Sequence, residues 1–305
     1  MGRTGWWLKL GAFMVFFAAV LAFMLAKTAV TAWTPLAERP SRPYVVFING
    51  LLSSSDGDPY NNMGFDSIRR YLADHSTYTF TDEHFILYSY NGGQVVDGLW
   101  QPNPYSPGDT TQPLTKSVAS LDEMIEQVRQ HDPGAAFLLV GHSLGGRIAW
   151  DYFVKHAEDH QIGEYIIGAV TLDSPINGCG YKELEELLGD YATEITESIT
   201  AVGAEGVVEE LAEDYLNRSQ RMVENRLSAK KLQQRGVVVA TFTSKDDLIV
   251  PPYCAAITAE DGTLATEGAV LSLGYDLSSP LGHEQVLESE RVARYIADLL
   301  EYDKR

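Results

Sequence analysis

The stretch Ala135-Ala136-Phe137-Leu138-Leu139-Val140-Gly141-His142-Ser143-Leu144-Gly145-Gly146-Arg147-Ile148-Ala149-Trp150 decides how the chain is read. Residues 135–140 are an unbroken apolar run, the pattern of a strand buried on both faces. Residues from 147 to about 156 carry helical spacing. Between them stands a serine flanked by glycines. Strand, sharp turn with a serine at its apex, then helix is the context in which G-x-S-x-G carries chemical meaning. Glycine is needed there because the turn leaves no room for side chains beside the serine. The turn lifts the hydroxyl clear of the sheet and sets it beside a helix N-terminus, where a backbone N–H can stabilise a developing oxyanion.

Strand and helix signals alternate on both sides of this turn. Strands are predicted over residues 44–48, 85–90, 135–140, 165–172, 237–242 and 269–273. Helices are predicted over 65–75, 114–129, from the serine turn to about 156, and over 286–300. Such alternation predicts a mostly parallel sheet with helices on both faces. Residues 91–112, rich in Gly, Pro and Asn, read as a loop. Residues 181–235 carry no strand signal. Their apolar positions have helical spacing and their other faces are dense in glutamate. They read as a helical insertion at the sheet end that carries the serine, where open α/β sheets bind ligands. A lid is the functional reading and a solvated excursion the bland one.

Composition limits the partners. Of 305 residues, 42 are acidic and 23 basic, a formal net charge of −19. This argues against nucleic acid and against electrostatic docking on anionic lipid. At the N-terminus, Arg3 and Lys9 precede the uncharged, apolar residues 10–26, and Lys27 closes the run. The stretch exceeds the ~7–15-residue core of a cleaved signal. It approaches the ~17–25 residues that span a bilayer. Trp6, Trp7 and Trp33 flank it as interfacial aromatics do. Residues 1–33 are therefore read as a retained membrane anchor, with a cleaved signal as the alternative. Residues 34–42 are read as a linker, and 43–305 as one catalytic-type domain. Either reading puts the domain outside the cytoplasm.

The two cysteines, Cys179 and Cys254, both follow predicted strands at one sheet end. In an exported chain they form one disulfide or remain two buried thiols. Asp56-Gly57-Asp58 with Asn61 and Asn62 lacks calcium-loop spacing and reads as a solvated turn. No metal or cofactor is expected.

A serine hydroxyl needs a general base, and the base needs an orienting acid. Of the seven histidines, His75, His84, His131, His156 and His160 stand at predicted element ends as surface or capping residues. His142 adjoins the serine and should point away from it. His283 stands in a loop after a predicted strand and ahead of the last helix, so it can reach Ser143. The acid stands in Ser244-Lys245-Asp246-Asp247-Leu248-Ile249-Val250-Pro251, and Asp247 is chosen over Asp246. Asp173, in Leu172-Asp173-Ser174-Pro175, is the alternate acid.

The order Ser143, Asp247, His283 resembles the α/β-hydrolase superfamily, and the lipase and esterase branch is the most similar. The resemblance covers about residues 43–300. It implies an α/β-hydrolase fold with a helical lid insertion and an acyl-enzyme mechanism on a carboxylic ester. It also implies an oxyanion hole made by the backbone N–H groups of Leu51 and Leu144. The first of these lies in Phe47-Ile48-Asn49-Gly50-Leu51, where the family usually has His in place of Asn49. Leu51, Leu52, Trp100 and Tyr105 could line an acyl pocket or could be packing residues. Together with the anchor, this favours a small-molecule or lipid ester with an apolar chain. A thioesterase or amidase would use the same triad, and a hydrolase-like binding protein that no longer turns over is the non-enzymatic alternative.

Overall fold

The computed structural model describes residues 42–180, 203, 205–274, 279 and 281–301. Six strands form a wholly parallel sheet in the order β2-β1-β5-β6-β7-β8. They are β1 (Tyr44–Ile48), β2 (Phe85–Leu87), β5 (Phe137–His142), β6 (Ile166–Leu172), β7 (Val238–Ser244) and β8 (Glu267–Leu271). β3 (Gly93–Val96) and β4 (Leu99–Pro102) form a separate antiparallel hairpin. The main helices are α1 (Asp66–His75), α2 (Leu114–His131), α3 (Leu144–Lys155), α4 (Glu205–Leu216), α5 (Arg218–Gln234) and α6 (Glu290–Glu301).

The apolar runs become strands because both faces of the sheet are covered. Along β1, Val45 and Phe47 face one core, shared with Ile68 and Leu72 of α1 and Val292 and Ile296 of α6. Val46 and Ile48 face the other, shared with Leu121 and Ile125 of α2 and Ile148 and Trp150 of α3. Each such side chain, fully buried, contributes roughly 1.5–3 kcal/mol.

The expected elements are present with shifted ends. The strand before the serine runs two residues further than expected, so Ser143 follows it directly. The last helix starts at Glu290, after a 3₁₀ turn over Gln285–Glu288. The loop expected over 91–112 contains the hairpin. There Trp100 is a core residue whose indole N–H donates to the Leu87 carbonyl at 3.0 Å. Tyr105 is likewise buried against the core.

The described part of the insertion, α4 and α5, is bound to the helix that begins at the serine. Arg147 of α3 is buried and pairs with Asp151 at 2.8 Å and with Asp214 of α4. Arg221 of α5 pairs with the same two carboxylates at 3.0 and 3.1 Å. Asn225 of α5, also buried, accepts the Trp150 indole N–H at 2.8 Å and donates to Asn177 Oδ1 at 3.0 Å. Residues 181–202 of the expected lid lie outside the described residues, as do the anchor or signal over 1–33 and the linker to 41. Among the described residues no helix is long and apolar enough to cross a membrane.

Asn225→Ala leaves the Trp150 donor and the Asn177 acceptor short of a partner in a buried interface. An unsatisfied buried group costs about 1–3 kcal/mol. Urea denaturation should show a loss of that size with an unchanged m value.

Candidate active site

Ser143 stands where β5 gives way to α3, with φ 54° and ψ −128°. A non-glycine residue holds that conformation only when its surroundings impose it. Its N–H donates to the Leu172 carbonyl at 2.9 Å, and its own carbonyl accepts from Gly146 and Arg147 at 3.1 and 3.3 Å. The neighbouring glycines are required by contact. A Cβ on Gly145 would lie 2.0 Å from the Ile48 carbonyl oxygen, and one on Gly50 would lie 2.7 Å from Ser143 Cβ and 3.1 Å from its Oγ.

The loop after β1 therefore runs directly beside the serine. Tyr90 O–H donates to the Asn49 carbonyl at 2.8 Å, and Asn49 Nδ2 donates to the Met63 carbonyl at 3.3 Å. Asn49 braces this loop. Among the described residues, neither the Leu51 nor the Leu144 N–H is taken up by an acceptor. Two unclaimed amides beside one hydroxyl can receive a developing negative charge.

His283 and Asp247 meet in a buried pair. His283 Nδ1 donates to Asp247 Oδ2 at 2.7 Å. Asp247 Oδ1 accepts from the Ile249 and Val250 N–H groups at 2.7 and 3.0 Å, which fixes the carboxylate. With Nδ1 acting as donor, the neutral ring keeps its acceptor lone pair on Nε2. Asp246 turns elsewhere. Its Oδ2 accepts from the Gly274 N–H at 2.8 Å and braces the loop that leaves β8.

Burial alone would lower the His283 pKa, but the Asp247 charge and hydrogen bond outweigh it and raise the value to about 9. His142 behaves in the opposite way. Burial and the neighbouring His283 lower its pKa to about 3. The neutral His142 ring donates through Nε2 to the His283 carbonyl at 3.0 Å, with the two ring centroids 4.6 Å apart. His142 thus holds the loop of the other histidine. That role has no motif of its own, since it depends on a loop 141 residues away.

Asp173 is wholly buried at the end of β6. It donates or accepts nothing with the His283 ring, and its Oδ1 accepts instead from the Ser244 N–H at 2.7 Å. Cys179 and Cys254 lie beside the acid-bearing turn as buried thiols, their sulfurs 2.8 Å apart. The remaining histidines stay peripheral. His75 bonds the Tyr71 carbonyl, and His84 and His156 sit beside Asp82 and Asp122.

A family model described as alpha/beta hydrolase fold matches residues 43–248. That span ends just past Asp247. Solved structures similar to this chain include the mature lipase BlEst2 of Bacillus licheniformis, 14% identical with a TM-score of 0.50, covering 87% of this chain and 95% of that one. A lipase-esterase related protein from Clostridium acetobutylicum ATCC 824 is 14% identical with a TM-score of 0.47, covering 86% and 96%. A carboxylesterase from the ammonia-oxidizing thaumarchaeon Nitrososphaera gargenis is 15% identical with a TM-score of 0.47, covering 87% and 92%. At these identities the likeness is one of fold. No curated protein matches the sequence.

NMR titration of the histidine rings should place the His283 midpoint near pH 9 and keep His142 neutral down to about pH 3. Asp247→Asn removes the charge that favours the imidazolium, so the His283 midpoint must fall. A midpoint that stays in place would show that Asp247 does not set it.

Proposed function

Because this chain belongs to the alpha/beta hydrolase fold family, we propose that it is a serine hydrolase that cleaves carboxylic esters through an acyl-enzyme. The observation that carries the reading is the buried Asp247–His283 pair at the sheet end where Ser143 is held in a strained turn. In this mechanism Ser143 Oγ attacks the ester carbonyl carbon as His283 Nε2 takes its proton. Asp247 orients the ring and stabilises the imidazolium. The N–H groups of Leu51 and Leu144 stabilise the tetrahedral oxyanion, each such donor being worth about 2.7–4 kcal/mol. His283 then protonates the leaving alcohol. Water, deprotonated by the same ring, releases the acid and restores the serine.

The substrate we propose is an ester with an apolar acyl chain. Leu51 and the exposed Leu52 stand on the loop beside Ser143, and α4 supplies apolar side chains to the core on that side of the sheet. The polar ties from α4 and α5 to α3 support a fixed wall for this part of the insertion. The apolar N-terminal segment supports placement outside the cytoplasm on a membrane, where such esters are abundant. In that oxidising setting Cys179 and Cys254 close a disulfide.

Ser143→Ala is expected to lower kcat on a chromogenic short-chain ester by a factor on the order of 10⁴ or more, and to abolish labelling by a fluorophosphonate. Near-native turnover in that variant defeats the assignment. An amide series against matched esters separates the ester reading from an amidase. kcat/KM should rise with pH through about 9, since only the neutral His283 can take the serine proton. For the cysteines, alkylation of the oxidised, unfolded protein without reductant should add no mass. Two alkyl groups would establish the thiol form.

A further inference from the structure

Three consecutive residues at the carboxyl end of β6 touch both halves of the site. The Leu172 carbonyl accepts the Ser143 N–H at 2.9 Å. Ser174 Oγ donates to that same carbonyl at 2.9 Å and occupies the space where a Cβ on Gly146 would sit, 1.9 Å away. Between them, Asp173 adopts a left-handed backbone with φ 41°, and its side chain is wholly enclosed. Its Oδ1 accepts the Ser244 N–H at 2.7 Å. Ser244 then carries the acid turn: its carbonyl accepts the Asp247 N–H at 3.3 Å and its Oγ accepts the Asp246 N–H at 3.1 Å. One strand end therefore sets the nucleophile through its backbone and the acid through a side chain.

We propose that Asp173 is a positioning residue that fixes the turn carrying Asp247 through its bond to Ser244, and that it is not a second catalytic carboxylate. The inference rests on the serine-hydrolase reading above and assigns a part in it to a residue that reading leaves unused. Asp173 Oδ2 has no hydrogen-bond partner. The charged groups that face the carboxyl are Asp247 and His283. A wholly buried carboxylate beside an anionic neighbour is disfavoured, and His283, the Ser244 N–H and the Thr243 hydroxyl offset this only in part. Burial first and the Asp247 charge second push the Asp173 carboxyl well above the usual carboxylate range, toward its neutral form. A neutral acid that serves as an acceptor has a close mimic in asparagine, which keeps the shape and the Oδ1 acceptor. Asparagine also tolerates left-handed backbone better than most residues.

The test compares Asp173→Leu with Asp173→Asn in the full chain on a chromogenic ester, with Ser143→Ala and Asp247→Asn as references. Asp173→Leu should lower kcat on the order of 10²-fold without a matching rise in KM, and Asp173→Asn should restore it to within about 3-fold of native. The pH profile separates positioning from bulk stability. The titratable groups facing His283 are Asp247, Asp173, Glu284 and His142. In Asp173→Leu the Asp247 carboxylate is no longer held against the ring, so the kcat/KM midpoint falls. In Asp173→Asn it returns to the native value. Asp173→Asn as impaired as Asp247→Asn would overturn the proposal, because Asp173 would then act as an anion. Native-like kcat and midpoint in Asp173→Leu would overturn it as well. If the leucine variant does not fold by circular dichroism, infrared spectroscopy decides. The native protein at pH 7 should show a protonated-carboxyl band that Asp173→Asn lacks, and absence of that band sinks the idea. Native turnover in Ser143→Ala would strike the hydrolase reading instead, and the infrared band would still report on Asp173.

Discussion

Everything in the site depends on one residue held where it would not stay by itself. The Ser143 backbone sits in a sparsely populated region, at a cost on the order of 1–3 kcal/mol. The cost is met by neighbours from two strands and a loop. β6 accepts its N–H, β1 presses the Ile48 carbonyl against the start of α3, and the loop after β1 passes so close that only glycine fits at position 50. The parallel register of β1, β5 and β6 is therefore a condition for the turn as well as a way of burying apolar surface.

The other two groups of the site are held mostly by backbone atoms. Asp247 takes two amides of its own turn, and His283 is secured by its ring nitrogen on one side and its carbonyl on the other. Amide and carbonyl ties fix position without adding titratable charge. The strong shifts of His283 and His142 can thus be traced to burial and to a few named neighbours. Two adjacent imidazoles end with opposite tendencies because only one of them touches a carboxylate.

Much of this was readable from the chain. The strands β1, β5, β6 and β7 announce themselves as continuous apolar runs because both faces are covered. The serine turn announces itself by its glycines, which steric contact makes necessary. Asp247 was distinguishable from Asp246 only by the apolar residues after it, whose amides fold back onto its carboxylate. What stayed hidden depends on distant partners. The hairpin over residues 93–102 was lost in a glycine- and proline-rich stretch whose strands are only four residues each. The role of Asp173 needs Ser244 beside it, and the tie from His142 needs a loop from the far end of the domain. No local pattern encodes either contact. The charges of Arg147, Asp151, Asp214 and Arg221 read as scattered helix-surface residues until the helices meet.

That meeting of helices constrains how the protein could diversify. α3 begins at Ser143, and over its first two turns it offers a guanidinium and an indole to whatever segment follows β6. A foreign segment spliced between β6 and β7 would leave the indole unpaired and the guanidinium with Asp151 alone unless it supplied one acid and one amide at matching positions. Inward-facing aliphatic side chains between those anchor points are under no such restriction. Those side chains can therefore drift by exchanging one methylene for another, while the scaffold that presents them is inherited as a block.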